Sequence, residues 1–270
     1  MPEDAPRREP SSRSPAAGCA IITAAILSLA FLAGFTIWSL FKLDRELARF
    51  TEDQQDPVPV PGLESHAAEV NHLNSKLETF RTDAGNRRPA RLALSPLEIN
   101  LAIAAFDAFK DLRGTFAVRS LDDDRLHIAI SFPLRGSPLE GGYRYLNGTM
   151  IASPRLDGGE LVLDIERIET SGAGVPDGFI GQMSPYRLTE RYRDHPALGP
   201  WLARLSSVEV ADGAVRLAAV PGAPAPDAAE RKLPGGPLLR TAAVFGAVFL
   251  LFLAVAVFAL RHGKRAANPP

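Results

Sequence analysis

The sequence predicts an α+β domain with an antiparallel, strongly curved sheet packed on a largely apolar helix, flanked by two transmembrane helices. Three observations lead there. Two long runs without charge bracket the chain, Gly18–Phe41 and Thr241–Leu260. The intervening residues alternate as strands do, in pairs joined by Asp- and Gly-rich turns. One internal helix is apolar nearly all round.

Each bracketing run is long enough to cross the ~30 Å hydrocarbon core as a helix. The second carries twelve Val, Leu and Phe residues. At roughly −0.3 to −0.6 kcal/mol each, its insertion gains about 4–7 kcal/mol. The first mixes Thr23, Ser28, Thr36 and Ser39 among its aliphatics, and Trp38 lies where an interfacial aromatic belt would hold it. Its length exceeds a signal peptide's 7–15 residue apolar segment, so an uncleaved anchor is expected. Cys19 precedes most of the apolar run instead of following it, which argues against a lipidation box. Both short tails are basic, with Arg7, Arg8 and Arg13 at one end and Arg261, Lys264 and Arg265 at the other. That places both termini in the cytoplasm and the central domain outside it.

The chain therefore divides, in order, into a disordered cytoplasmic tail (1–16), a first span (18–41) and a Pro-rich linker (51–62). The α+β domain (63–220) follows, then a Pro/Ala/Gly linker (221–237), a second span (239–260) and a basic cytoplasmic tail (261–270). Leu43, Leu47 and Phe50 carry the helical spacing a turn or two past the first span. Pro57, Pro59 and Pro61 then favour an extended spacer.

Within the domain, Val70, Leu73, Leu77 and Phe80 mark an amphipathic helix over 63–81. Ser95-Pro96-Leu97-Glu98 opens a second helix: Ser95 is a good N-cap, Pro96 suits the first helical position, and Glu98 completes a capping box. That helix, from Pro96 to about Phe109, is apolar on most of its circumference. It must be buried on more than one side, by a strongly curled sheet or a second layer. Strands follow at Thr115–Leu121 and Arg125–Leu134, joined by Asp122-Asp123-Asp124. The second alternates, with Leu126, Ile128, Ile130, Phe132 and Leu134 on one face, which predicts a half-buried strand. A second hairpin joins Tyr143–Ile151 to Glu160–Ile168, and a third joins Ser207–Ala211 to Ala214–Val220 through Asp212-Gly213. Short helices fill the interval, around Phe179 to Met183 and from Leu198 to Leu205.

Chemical motifs are sparse. No nucleophile elbow, phosphate loop, dinucleotide fingerprint or His-Glu-x-x-His motif occurs. The domain's histidines, His66, His72, His127 and His195, are scattered. The three aspartates at 122–124 read as a hairpin turn, since a calcium loop's Gly and distal Glu are missing. Asn147-Gly148-Thr149 fits a glycosylation pattern but falls inside a strand, where a close backbone approach at Gly148 is the better reading. The domain lacks Cys, and the net charge of −1 with no strongly basic patch excludes a nucleic-acid binder. No catalytic residue, cofactor site or metal site is assigned.

Leu94-Ser95-Pro96-Leu97-Glu98-Ile99-Asn100, followed by its apolar helix, resembles the opening of small anchored bacterial envelope proteins of the YpmS type. Tyr145-Leu146-Asn147-Gly148, Val175-Pro176 and the Leu205–Leu217 hairpin are similar too. The resemblance spans about residues 90–220. It implies a tubular lipid-binding type of fold, in which a long helix lies against a highly curved sheet. The second anchor departs from that pattern. By residues alone, a groove and a dry core both fit.

The functional expectation is a non-enzymatic envelope domain of the bacterial inner membrane that binds lipid or another apolar ligand. Its lining would be Ile103, Phe106, Ile128, Ile130, Phe132, Leu161 and Leu163. The alternative is a scaffolding module with a membrane-protein partner. Both have the lipid bilayer as their surroundings.

Overall fold

The computed structural model describes residues 15–135 and 142–223. Two compact units divide the chain: Met1–Lys42 with Leu233–Pro270, and Leu43–Lys232. The expected second span, its linker from residue 224 onward and both terminal tails up to residue 14 and from residue 261 lie outside the described residues.

Helix α1 runs Pro15–Ala48, 34 residues. It is long and apolar enough to cross a membrane, and its apolar window is unburied. Ile22, Ile26, Leu29 and Phe31 are exposed. Thr36 donates its hydroxyl to the Leu32 carbonyl at 2.8 Å, which satisfies it within the helix.

The second unit is α+β and wholly antiparallel. Helix α2 (Ala67–Gly85) leads to β1 (Ala90–Leu94) and α3 (Pro96–Ala105). Four strands follow: β2 (Phe116–Asp122), β3 (Arg125–Arg135), β4 (Tyr143–Asp157) and β5 (Glu160–Glu169). Helix α4 (Asp177–Met183), a short β6 (Tyr186–Arg187) and α5 (Gly199–Leu202) precede the closing hairpin β7 (Ser207–Ala211) and β8 (Ala214–Ala219).

The strands do not form one curled sheet. They form a five-stranded sheet, β2-β3-β4-β5-β6, and a three-stranded sheet, β1-β8-β7. This corrects the expectation of strong curvature. The second layer answers the same requirement: α3 packs on β2 of the large sheet and on β1 of the small one, with α2 alongside. A helix of this composition then buries both Leu101 and Ile103. It is also shorter than its periodicity suggests. Its C-cap falls at Phe106, and a 3-10 turn over Asp107–Leu112 takes the chain onward.

The start of α3 is fixed by its capping box. The Glu98 N–H donates to Ser95 Oγ at 3.3 Å, and the Ser95 N–H donates to Glu98 Oε2 at 2.9 Å. Lys76 of α2 adds an ion pair to Glu98 Oε1 at 2.6 Å. Burial alone would raise the Glu98 pKa, but Lys76 and the Ser95 hydrogen bonds outweigh it and hold the carboxyl below its ordinary value.

Side chains bond to backbone groups along β2 and along β5 of the large sheet. Beside β2, Asn100 Nδ2 donates to the Val118 carbonyl at 2.7 Å, and the Val118 N–H donates to Asn100 Oδ1 at 2.8 Å. The amide thus imitates a neighbouring strand next to the register shift between Val118 and Ser120. Beside β5, Thr189 Oγ1 accepts from the Leu161 N–H at 2.8 Å, and Ser184 Oγ accepts from the Ile165 N–H at 3.0 Å.

The segment expected to be a spacer is bonded to the sheet. Glu52 and Tyr145 exchange backbone hydrogen bonds at 2.8 and 2.7 Å, and the Val58 N–H donates to the Gly114 carbonyl at 3.0 Å. Phe50 joins the main core, and Val58 covers Ala117 and Ala129 on the opposite sheet face. The centre of β3 is therefore buried on both faces, Ser131 included, where alternation predicts one polar face.

Asn100→Ala removes both bonds to a buried strand edge and is expected to cost about 2–4 kcal/mol in denaturant unfolding of the domain. Glu98→Gln tests the cap through pH. Because the folded pKa is depressed, the carboxylate's stabilisation is full above its ordinary value of 4.5 and is lost as pH falls through the lower folded value. The wild-type advantage over Glu98→Gln, about 1 kcal/mol at pH 7, is expected to shrink to near zero once pH drops below that folded value.

Candidate functional site

Where the two sheets, α2, α3 and α5 converge, the side chains leave a cavity of about 410 Å³. Its wall is almost wholly apolar. Helix α3 contributes Ile99, Ala102 and Ile103, and Phe106, Phe109 and Leu112 follow it. The large sheet supplies Phe116, Val118, Leu126, Leu161 and Leu163, and the small sheet supplies Leu92, Leu94, Val215 and Leu217. Trp201 and Leu202 of α5 close another side. Trp201 meets Phe80 of α2 edge-on, with ring centroids 5.9 Å apart.

The exposed members of the lining mark the mouth. Asn74, Glu78 and Arg81 of α2 form one side, with Ala197 among the others. Glu78 and Arg81 pair with each other at 2.8 Å. The mouth thus carries balanced charge, while the interior carries none.

The seven residues expected to line a groove separate. Ile103, Phe106, Leu161 and Leu163 border the cavity; Ile128, Ile130 and Phe132 do not. The separation has a packing cause. The cavity reaches β3 only at Leu126. Further along the same face, Ile128 lies in register between Val118 and Met150, and Ile130 lies opposite Phe116. All of these are buried in the main core. Phe132 stacks on Tyr186 at 5.5 Å. The strand face is as the alternation predicts, but most of it is filled.

Sequence reasoning missed the contributions of α2, the small sheet and the segment from Leu188 to Leu205. An aromatic in a short predicted helix, Trp201, is the one signal that pointed toward that wall. Tyr192 gives no such signal, yet it lies on the cavity wall, 4 % exposed. Its ring meets Phe109 edge-on at 5.3 Å. Burial is the main cause that pushes its phenol pKa up, so the group stays neutral and keeps its proton.

Other polar groups are arranged as structure. Next to the cavity, Arg187 bridges the buried Glu160 and Asp157, at 2.6 and 3.1 Å, and Arg193 also pairs with Glu160. His195 Nδ1 accepts from the Ala197 N–H at 3.2 Å, a local turn bond. Asp123 takes a positive φ of 50° in the β2–β3 turn. Among the described residues, no group of three or more His, Cys, Asp or Glu is placed to hold a metal ion.

Asn147 is unavailable as a glycosylation acceptor. Its side chain is buried and donates to Glu52 Oε2 at 2.7 Å and to the Gln54 carbonyl at 2.9 Å, while Ser131 donates to its Oδ1 at 2.7 Å. Gly148 is needed for close approach: a Cβ there would overlap the Glu169 carbonyl oxygen, which is backbone and cannot swing away.

The molecule is thus an α+β domain with an internal apolar cavity, in a chain that also bears a helix capable of crossing a membrane. Comparison with protein-family models, with curated proteins and with solved structures finds no match for this chain.

Gly148→Ala forces β4 and β5 apart and is expected to destabilise the domain by about 3 kcal/mol or more, read as a fall in Tm. Ala substitution at the open position Gly181, where a Cβ meets nothing within 4 Å, serves as the control and leaves Tm within a degree or two.

Proposed function

We propose that this protein is a membrane-tethered, non-enzymatic domain that takes an apolar ligand of the lipid class into its internal cavity. The observation that carries the reading is the cavity itself, about 410 Å³ with an almost wholly apolar wall. That volume falls in the ~300–1,000 Å³ range of ligand sites. A second support is helix α1, which would tether the domain to a bilayer from which such ligands come. In this reading Thr241–Leu260 forms a second span, both termini are cytoplasmic, and the domain lies outside the inner membrane of a bacterium. The resemblance of residues 90–220 to YpmS-type envelope proteins is in keeping with an anchored domain outside the membrane, while the second span departs from that pattern.

The test is native mass spectrometry of the full chain in mild detergent, with organic extraction of what is bound. A co-purifying lipid in stoichiometric amount supports the reading. A clean apo mass that also fails to take up added lipid overturns it and leaves the scaffolding alternative, for which partner capture from membranes is the next step.

Binding also has a built-in reporter. The chain has two tryptophans, so Trp38→Phe leaves Trp201 alone on the cavity wall. Titration with lipid is expected to shift its emission to the blue. Ala102→Leu, which extends a side chain from α3 into the cavity at little cost in helix propensity, is expected to abolish that shift while Tm stays equal or rises.

A further inference from the structure

Inside the mouth, no described side chain offers the cavity a free hydrogen-bonding group. Thr189 gives its hydroxyl oxygen to the Leu161 N–H. The Tyr192 hydroxyl is buried without a hydrogen-bond partner and is shielded from anything the size of water, so it is not offered to the chamber. The remaining polar lining residues belong to the opening. Asn74, Glu78 and Arg81 are exposed there, and His195 stands beside Ala197, whose N–H its Nδ1 accepts. Deeper in, Leu92, Ile103, Phe116, Val118, Leu163 and Leu217 are all buried and present only carbon. Whatever enters gives up hydrogen bonding along the part it inserts, so that part carries no polar substituent.

We infer that the cavity takes one unsubstituted hydrocarbon chain of about twelve to fourteen carbons, tail inward, with the polar head left at the mouth beside α2. The inference rests on the lipid-class reading above and specifies the ligand within that class. Capacity sets the count. At ~30 Å³ for a water-sized group such as a methylene, a cavity of about 410 Å³ holds about fourteen of them. That is room for one chain. The two chains of a membrane phospholipid, or the fused rings of a sterol, bring more carbons than fit. Orientation follows from where the polar side chains lie: a head can be hydrated and bonded only at the opening. The head's charge is not what selects the ligand, because Glu78 and Arg81 there pair with each other at 2.8 Å. Chain number and chain length are what this wall reads.

The full chain is purified in a steroidal detergent, whose fused-ring body exceeds the cavity. Native mass spectrometry then reads occupancy from micelles holding equal mole fractions of several probes. These are saturated monoacylglycerols of eight to twenty carbons, a diacylglycerol, and a fourteen-carbon monoacylglycerol hydroxylated at mid-chain. Each carbon beyond capacity leaves the micelle for water, which weakens binding about fourfold per carbon. A chain that is too short leaves part of the wall without contacts. Occupancy is therefore expected to peak at about twelve to fourteen carbons. The twenty-carbon chain, the diacylglycerol and the hydroxylated chain are each expected to be lower by about tenfold or more. Leu163→Ala removes about three carbons from the deep wall and is expected to move the peak about that much longer. Should this variant not fold, the wild-type series decides alone. A peak at eighteen carbons or more, or equal occupancy by the diacylglycerol or the hydroxylated chain, overturns the single-chain inference and leaves the lipid-class reading standing. So does a peak that stays in place in folded Leu163→Ala. If the wild type binds no probe, the lipid-class reading itself fails and this inference with it.

Discussion

A helix with almost no polar face cannot rest on one surface. Helix α3 imposes that constraint, and the rest of the domain is arranged to meet it. One sheet covers a single side of a helix. The chain supplies a second sheet by bringing β1, just before α3 in sequence, together with the closing hairpin at the far end. Helix α2 is held alongside by the Lys76–Glu98 ion pair, which also buttresses the cap of α3. Layers brought together around a central rod from so many directions need not meet without a gap. The cavity lies at that meeting place, and its wall draws on both sheets and three helices. The cavity and the burial of the helix are thus two results of one packing problem.

The same economy appears in the polar groups. Asn147, Ser131, Glu52 and Ser171 form a connected network, with Ser171 donating to Glu52 Oε1 at 2.5 Å. Those two hydrogen bonds, from Ser171 first and Asn147 second, hold the Glu52 carboxyl below its ordinary pKa. The network secures residues 51–56 across the ends of β3 and β4, and Arg144 adds bonds to Thr51 at 2.7 and 2.8 Å and an ion pair to Asp53. Pro57, Pro59 and Pro61 follow directly, and Val58 between the first two bonds to Gly114. Extension here serves pairing with the sheet and not distance from it.

Much of this fold is legible in the residues, and the gaps have physical reasons. The capping box at Ser95 and Glu98 marks the start of α3, and Asp212-Gly213 marks the last turn. The alternation in β3 gives its buried face. Strand β1 is not legible, because Ala90-Arg91-Leu92-Ala93-Leu94 is short and its order depends on β8, more than a hundred residues later. The extension of β4 to Asp157 is hidden by Pro154, which breaks the strand pattern. At the site, Ile103, Phe106, Leu161 and Leu163 come from pattern, yet Ile128 and Ile130 obey the same pattern and are simply packed over. Alternation tells which face is inside. It does not tell where the inside is empty. Tyr192 lies further beyond sequence reasoning, since an unpaired hydroxyl is a property of its surroundings.

The side-chain bonds along the borders of the large sheet have a further consequence. An exposed strand edge is a template for another chain, by fibre growth or by capture of an extended peptide. Here Asn100 on one border, with Ser184 and Thr189 on the other, occupies backbone groups that an incoming strand would need. A β6 of two residues leaves little more to pair with. At those positions the borders of the sheet offer an incoming strand no free backbone group.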